Sequence, residues 1–329
     1  MKIVSALSLL IFAVSSLNGA DLPAQSSKTV IAYTTISASY APIWIAKEAG
    51  FLERNGLNAD VIFIRGATIG TQALVGGSVD FLYAGGAGAV EAVLSGADIV
   101  IVATPANRMD QILVTKKEIQ NPPQLKGTKI AVNSVTGTAI LALKIMLNAL
   151  DLNPEKDVVY LALGDPPSRF AALRSGLVDG TVLSPPFTLT ARKAGFNLFE
   201  DIPVLKDLEY PSASVIVRRD FVKKEPVLID KVTRSVIEAV HFYKTNKSGA
   251  SRILKKYLRL ENQDEIEDAY LRFSTRFLDK PYPTANSIKT ILDWSRHPKA
   301  KGADPTRFVA PQILEKLDKE GYFKALYKK

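Results

Sequence analysis

The chain has 329 residues, is 47% hydrophobic and carries a formal net charge of +9. It contains no cysteine, which excludes disulfides, thiolate metal sites, a cysteine nucleophile and a lipid anchor on cysteine. The length can bury one large core or two medium ones. The lysines are scattered through helical stretches such as 252–259 and 316–329, and the aromatics are not interleaved with them in any nucleic-acid motif, so the charge reads as a solvated surface and no nucleic-acid partner is expected.

Met1-Lys2 is a short positive start, Ile3 to Leu17 an apolar run softened by serines, and Asn18-Gly19-Ala20 a group of small residues before Asp21. Residues 1–20 are therefore expected to be a cleaved secretory signal, too short for the roughly 20 apolar residues of a membrane span. The mature chain is expected to be soluble, exported and periplasmic, and to work as a monomer.

Strand and helix patterns then alternate. Val30 to Thr35 reads as a strand, Pro42 to Ala49 as a helix with proline in its first turn and Gly50 beyond its end. Strands at Ala59 to Ile64, Val79 to Tyr83 and Ile99 to Ala103 are separated by helices at Thr68 to Val75 and Ala87 to Leu94. The pattern restarts after Asn121-Pro122-Pro123 with strands at Lys129 to Asn133, Val158 to Ala162 and Thr181 to Leu183, and helices at Ala139 to Leu150, Ser168 to Arg174 and Phe187 to Ala194. Single-helix crossovers imply two largely parallel sheets. Ala73-Leu74-Val75-Gly76-Gly77-Ser78-Val79-Asp80 echoes Ala172-Leu173-Arg174-Ser175-Gly176-Leu177-Val178-Asp179 as A-L-x-x-G-x-V-D, which points to two lobes of the same build. From about residue 219 the spacing is helical. Ile112 to Thr115 and Ser214 to Val217 are expected to cross between lobes as a hinge. The expected division is 28–114 plus 216–329 for the first lobe and 115–215 for the second, with a ligand cleft between them.

Catalytic chemistry finds little support. His241 and His297 have no metal-like or triad-like neighbours, and no zinc, P-loop, G-x-S-x-G or EF-hand motif is present. No metal and no cofactor are expected. Gly85-Gly86-Ala87-Gly88 lacks the third glycine of a dinucleotide loop, because Glu91 stands there. Binding has better support. In open α/β sheets, ligands sit beyond the carboxyl ends of the strands, and there this chain places small, hydroxyl and glycine residues. The candidate ligand contacts are Ser39 and Tyr40; Gly66, Ala67 and Thr68; Gly85, Gly86 and Ala87; and Thr136, Gly137 and Thr138. Asp165, Pro186 and Phe187 are expected to form walls, because the proline pairs at 166–167 and 185–186 remove amide donors at those helix starts. Tyr40, Tyr83, Phe187 and Tyr210 are candidates to stack on a flat ligand, whereas Trp44 sits inside a helix and reads as core. Arg65, Arg108 and Arg169 are candidate carboxylate partners.

The stretch Ser39-Tyr40-Ala41-Pro42-Ile43-Trp44-Ile45-Ala46-Lys47-Glu48-Ala49-Gly50-Phe51-Leu52 resembles the opening of the SsuA/THI5-like (NMT1-like) substrate-binding proteins. So do the two G-x-V-D segments at 77–80 and 176–179, Lys126 to Val132 and Gly321-Tyr322-Phe323. The resemblance runs over roughly 28–329. It implies a type II periplasmic-binding fold, α/β with two lobes, two hinge-crossing strands and a helical C-terminal region. It also implies import through an ABC transporter permease, with ligand contacts at 39–40, 66–68, 85–87, 136–138 and 185–187. The expected function is extracytoplasmic capture, by clamp closure, of a small organic anion or zwitterion such as a sulfonate, an aromatic or heterocyclic acid, or a pyrimidine-like solute. The family also contains a pyrimidine synthase with a cysteine-rich motif and an active-site histidine. This chain has no cysteine, and no histidine in the first-lobe cleft loops, so it reads as no enzyme. The alternatives are a lyase or pyrimidine-forming enzyme acting through Asp165, and a receptor-docking sensory module.

Overall fold

A computed structural model describes residues 28–134, 137–205 and 208–328; the expected signal at 1–20 and Thr136 lie outside them. The strands are β1 (Thr29–Tyr33), β2 (Ala59–Phe63), β3 (Phe81–Ala84), β4 (Ile99–Arg108), β5 (Ile112–Thr115), β6 (Thr128–Val132), β7 (Val158–Ala162), β8 (Gly180–Leu183), β9 (Asn197–Phe199) and β10 (Glu209–Arg218). Helices α1 (Ala41–Glu48), α2 (Phe51–Arg54), α3 (Ala67–Val75) and α4 (Gly86–Leu94) alternate with the first strands, and α5 (Thr138–Ala149), α6 (Pro166–Arg174) and α7 (Phe187–Lys193) with the second set. The C-terminal helices are α8 (Arg219–Lys224), α9 (Pro226–Thr245), α10 (Lys247–Leu258), α11 (Gln263–Ser274), α12 (Ala285–Trp294), α13 (Gln312–Lys319) and α14 (Tyr322–Leu326).

The described strands form two sheets of the same plan, β2-β1-β3-β10-β4 and β7-β6-β8-β5-β9. In each, the first three strands are parallel, and the fourth runs antiparallel to both its neighbours. That fourth strand is exchanged: β5 enters the second sheet directly after β4, and β10 returns to the first after β9. This corrects two details of the sequence reading. Ile112–Thr115 lies wholly within the second sheet, so the crossing is made at Met109 to Gln111. Glu209–Arg218 lies wholly within the first sheet, although 209–215 were expected in the second lobe. Both ten-residue strands exceed the apolar segments that signalled them, because Pro105 and Pro211 interrupt the pattern. Proline cannot donate to a ladder, and the β4–β10 register shifts between Glu209 and Ile216. Beyond the shift, β4 takes other partners, with the Thr104 amide donating to Pro281 O at 2.7 Å and the Leu278 amide to Pro105 O at 2.9 Å.

The repeated A-L-x-x-G-x-V-D segment makes the same junction twice. Gly77 and Gly176 adopt φ of 77° and 79°, the left-handed cap that stops α3 and α6. Asp80 then exchanges backbone bonds with the start of β1: its amide donates to Val30 O, and its Oδ2 accepts from the Val30 amide at 2.9 Å. Asp179 does the same with Lys129 of β6, its Oδ2 accepting the amide at 2.9 Å. Each carboxylate also faces a cation of the exchanged strand's end, Arg218 for Asp80 and Lys116 for Asp179. Asp80→Ala is expected to lower unfolding free energy by about 1–3 kcal/mol, the cost of orphaning a part-buried strand amide, and Asp179→Ala by about 0.5–1.5 kcal/mol, because the Lys129 amide is exposed and can turn to water; urea unfolding measures both.

The helical C-terminal region covers the first sheet. Val236 and Val240 of α9 share a core with Ile43, Trp44 and Leu52. Trp44 is fully buried and stacks on Tyr257 at 4.8 Å, as its helical position predicted. Among the described residues, no helix is long and apolar enough to cross a membrane.

Candidate functional site

The carboxyl ends of the parallel strands of both sheets converge on a polar cavity of about 40 Å³. The first lobe contributes Thr34, Ser37, Ser39 and Tyr40 from the turn after β1, and Gly85 at the cap of α4. The second contributes Asn133, Thr138, Arg169 and Ser184. Asp110 and Gln111 of the crossing segment and Ser212 of β10 complete the lining. The lobes are closed upon it. Ser37 Oγ and Ser184 Oγ are 3.0 Å apart across the cleft, and Arg65 of the first lobe pairs with Asp165 of the second at 3.2 Å. Thr190 on α7 donates to Glu265 Oε1 on α11 at 2.7 Å. Arg296 after α12 meets Glu155 at 3.0 Å.

Three charged or polar groups set the field inside. Arg169, 3% exposed, is held by its backbone surroundings: Nη1 donates to Gly164 O and Nη2 to Val182 O, each at 3.0 Å. Its Nε is buried with no hydrogen-bond partner among the described residues. Burial lowers its pKa to about 10, with Asp165 opposing that shift, so the guanidinium stays charged at neutral pH. Tyr40 hydroxyl lies 3.5 Å from Thr34 Oγ1; burial pushes its pKa to about 12, against hydrogen bonds from Thr34 and Gly85. Asp110 is 7% exposed, and its Oδ2 has no hydrogen-bond partner among the described residues. Burial lifts its carboxyl to about 6, opposed mainly by Arg276.

Of the residues expected from sequence, Ser39, Tyr40, Ala67, Gly85 and Thr138 line this cavity. Thr68, Ala87 and Gly137 instead line a more open groove of about 650 Å³ bounded by α3, α4, α5 and residues 294–298. Gly66 caps α3, and Gly86 packs beneath Pro211. Asp165 caps α6, its Oδ1 accepting the Ser168 amide at 2.9 Å. With that bond and Arg65, its carboxylate itself neutralises the helix start and is not aimed at the cavity. Pro186, after a cis bond to Pro185, opens α7. Phe187 and Tyr210 are core residues, 8% and 0% exposed, and neither offers a stacking face to the cavity. Tyr83 is likewise buried, edge-on to Tyr40 at 5.3 Å.

Sequence reasoning missed Asp110, Gln111 and Ser212, because it placed the crossing at 112–115 and read 214–217 as the return, and it missed Asn133 by counting it as the last residue of a strand that ends at Val132. His241 on α9 faces Tyr327 just after α14, and His297 borders the open groove, so neither reaches the cavity. No cluster of three or more His, Cys, Asp or Glu able to hold a metal exists among the described residues.

The chain matches the model of the NMT1-like family over residues 24–257. The taurine-binding periplasmic protein of Escherichia coli (strain K12) is 27% identical over 293 residues, covering 86% of this chain and 89% of that protein. Among solved structures, the alkanesulfonate-binding protein SsuA from Xanthomonas axonopodis pv. citri, bound to MOPS, aligns with a TM-score of 0.68. It is 19% identical, with 87% of this chain and 97% of that chain covered. The periplasmic nitrate-binding protein NrtA from Synechocystis PCC 6803 aligns with a TM-score of 0.64 at 16% identity, over 92% of this chain and 88% of that one. The two-lobed architecture is that of the periplasmic binding proteins.

Proposed function

Because the chain belongs to the NMT1-like family, we propose that it is an exported solute-binding protein which carries a small organic anion or zwitterion to the permease of an ABC importer. The observation that carries this reading is the closed polar cavity built jointly by both lobes, with Arg169 buried in its wall. A buried guanidinium with a free Nε donor suits a carboxylate or sulfonate, since hydrogen bonds to charged groups contribute about 1.5–3 kcal/mol net. The names of the relatives, taurine-binding and alkanesulfonate-binding, agree with that chemistry. The cavity is small, about 40 Å³, and Phe187 and Tyr210 supply no stacking slot. Small aliphatic acids and sulfonates therefore fit the closed form better than aromatic or pyrimidine-like solutes. The larger groove is more open, and Lys144 and Arg296 at its edge are both already paired with Glu155.

A thermal-shift screen of the purified protein against small sulfonates, amino acids, nitrate and carboxylates tests the reading. A true ligand at 100 times its dissociation constant adds about 2.7 kcal/mol of stability. The expected result is a stabilising compound recovered unchanged after incubation. A panel without any stabilising compound, or a hit that is chemically consumed, would overturn it.

A further inference from the structure

We propose that Asp110, on the segment joining the two lobes, is a specificity-determining residue that selects a solute carrying a protonated amine. This rests on the solute-binding reading above and adds the cationic half of the ligand to it. Three residues, Met109 to Gln111, connect β4 in the first sheet to β5 in the second. Asp110 and Gln111 both line the cavity, and Asp110 Oδ2 and Gln111 Oε1 are both buried without a hydrogen-bond partner among the described residues. Two neighbouring acceptors thus face a space whose other side chains mostly have partners. The hydroxyls of Ser37, Ser39 and Ser184 bond to one another, that of Ser212 donates to Arg108 O, and that of Tyr40 pairs with Thr34. Arg169 Nε is a free donor in the wall, and the buried hydroxyl of Tyr210 is also without a hydrogen-bond partner among the described residues.

A buried carboxylate oxygen without a hydrogen-bonded partner is costly, and although Asp110's own amide bonds the carboxyl, no side chain supplies a partner to Oδ2. Arg276 lowers its pKa by proximity, but the Arg276 Nη1 donates to Met109 O at 3.1 Å. Arg272 acts more weakly, and the other titratable groups facing Asp110 are the hydroxyls of Tyr40 and Tyr210. The complement of a carboxylate beside an amide oxygen is a group with several N–H donors and a positive charge. With Arg169 on the second lobe and Asp110 on the hinge, the solute is read as a small zwitterion: amine toward the hinge, acid toward α6. Closure would then require both ends of the solute, since the joining segment and the second lobe recognise different charges.

Calorimetry with matched pairs tests this: glycine against acetate, β-alanine against propionate, and taurine against ethanesulfonate. At pH 7.5 the amine-bearing member of at least one pair is expected to bind at least tenfold more tightly. Asp110→Asn should abolish that preference. The wild type should also lose it at pH 5, where the Asp110 carboxyl is protonated while Arg169 keeps its charge; this second readout needs no variant. Equal binding of the amine-free members would overturn the inference and leave the solute-binding reading standing. A preference retained by Asp110→Asn would also overturn it. If none of the six compounds, and nothing in the wider panel, binds the wild type, the solute-binding reading falls and takes this inference with it.

Discussion

Gly85→Ala is expected to weaken solute binding by about 10–100-fold while leaving each lobe folded. A Cβ at Gly85 would lie 2.2 Å from Thr138 Oγ1 on the opposite lobe and 3.4 Å from Ser212 O. The first distance is far inside van der Waals contact, so either Thr138 turns away or the lobes part. Forcing an extra methyl into a packed contact costs about 1–3 kcal/mol, and each 1.4 kcal/mol is tenfold in affinity. The penalty falls on the closed state alone, because Gly85 and Thr138 meet only across the cleft. Removing the clashing oxygen should relieve it: Thr138 Cβ is 3.5 Å from the position of the new methyl, an ordinary contact. Gly85→Ala combined with Thr138→Ala is therefore expected to recover affinity toward that of Thr138→Ala alone. Calorimetry of the four proteins checks this; Gly85→Ala binding as tightly as wild type would show that binding needs no closure at this contact.

Asp110→Asn is expected to stabilise the protein at pH 7.5 by up to about 3 kcal/mol and to give no such gain at pH 4. Raising the carboxyl from 3.8 to about 6 by burial means that the folded state holds this proton more tightly than the unfolded chain. Between those two values the folded form binds more protons, so the contribution of this group to stability declines as pH rises through about 6. Above that, the native state carries a desolvated charge whose cost follows from 1.36 kcal/mol per pKa unit. The amide removes the charge at nearly constant shape. Melting temperatures across pH 4–8 read the effect directly: the variant's gain should build between about pH 4 and 6 and level off above that. A variant that is less stable than wild type at pH 7.5 would mean that Arg276 and Arg272 already compensate the charge. The site thus trades stability for recognition, which is the expected mark of a binding residue.

Much of the fold was legible because its signals are local. Pro42 in the first turn of α1, the apolar runs of β1 and β6, and the Gly-x-Val-Asp junctions each report a single turn of backbone, and the repetition of the last revealed two lobes of one plan. The exchanged strands were legible only as their apolar stretches. Pro105 and Pro211 hide the remaining residues of β4 and β10, and a pairing between residues 100 apart has no local signature. The site divided along the same line. Ser39, Gly85 and Thr138 follow from the rule that ligands sit beyond strand ends, since each lies just after a recognisable strand. Tyr210 and Phe187 were expected in the cleft from their sequence neighbourhood, but side-chain direction depends on the register of β10 and on the turn into α7, and both point into the core. Asp110 carries no motif. Its significance comes from burial between two lobes, and the Met109-Asp110-Gln111 segment resembles a solvated loop until the strands on either side are assigned to different sheets.

A solute bound between the lobes is expected to draw them together, and the absence of cysteine makes one measurement of this direct. Ile69→Cys on α3 and Val159→Cys on β7 place spin labels at exposed positions, 58% and 51% accessible, one on each lobe. With the stabilising compound from the thermal-shift screen, the distribution of distances between the labels should shorten and narrow, and Gly85→Ala should blunt the change. An unchanged distribution in the presence of a compound shown by calorimetry to be bound would contradict clamp closure.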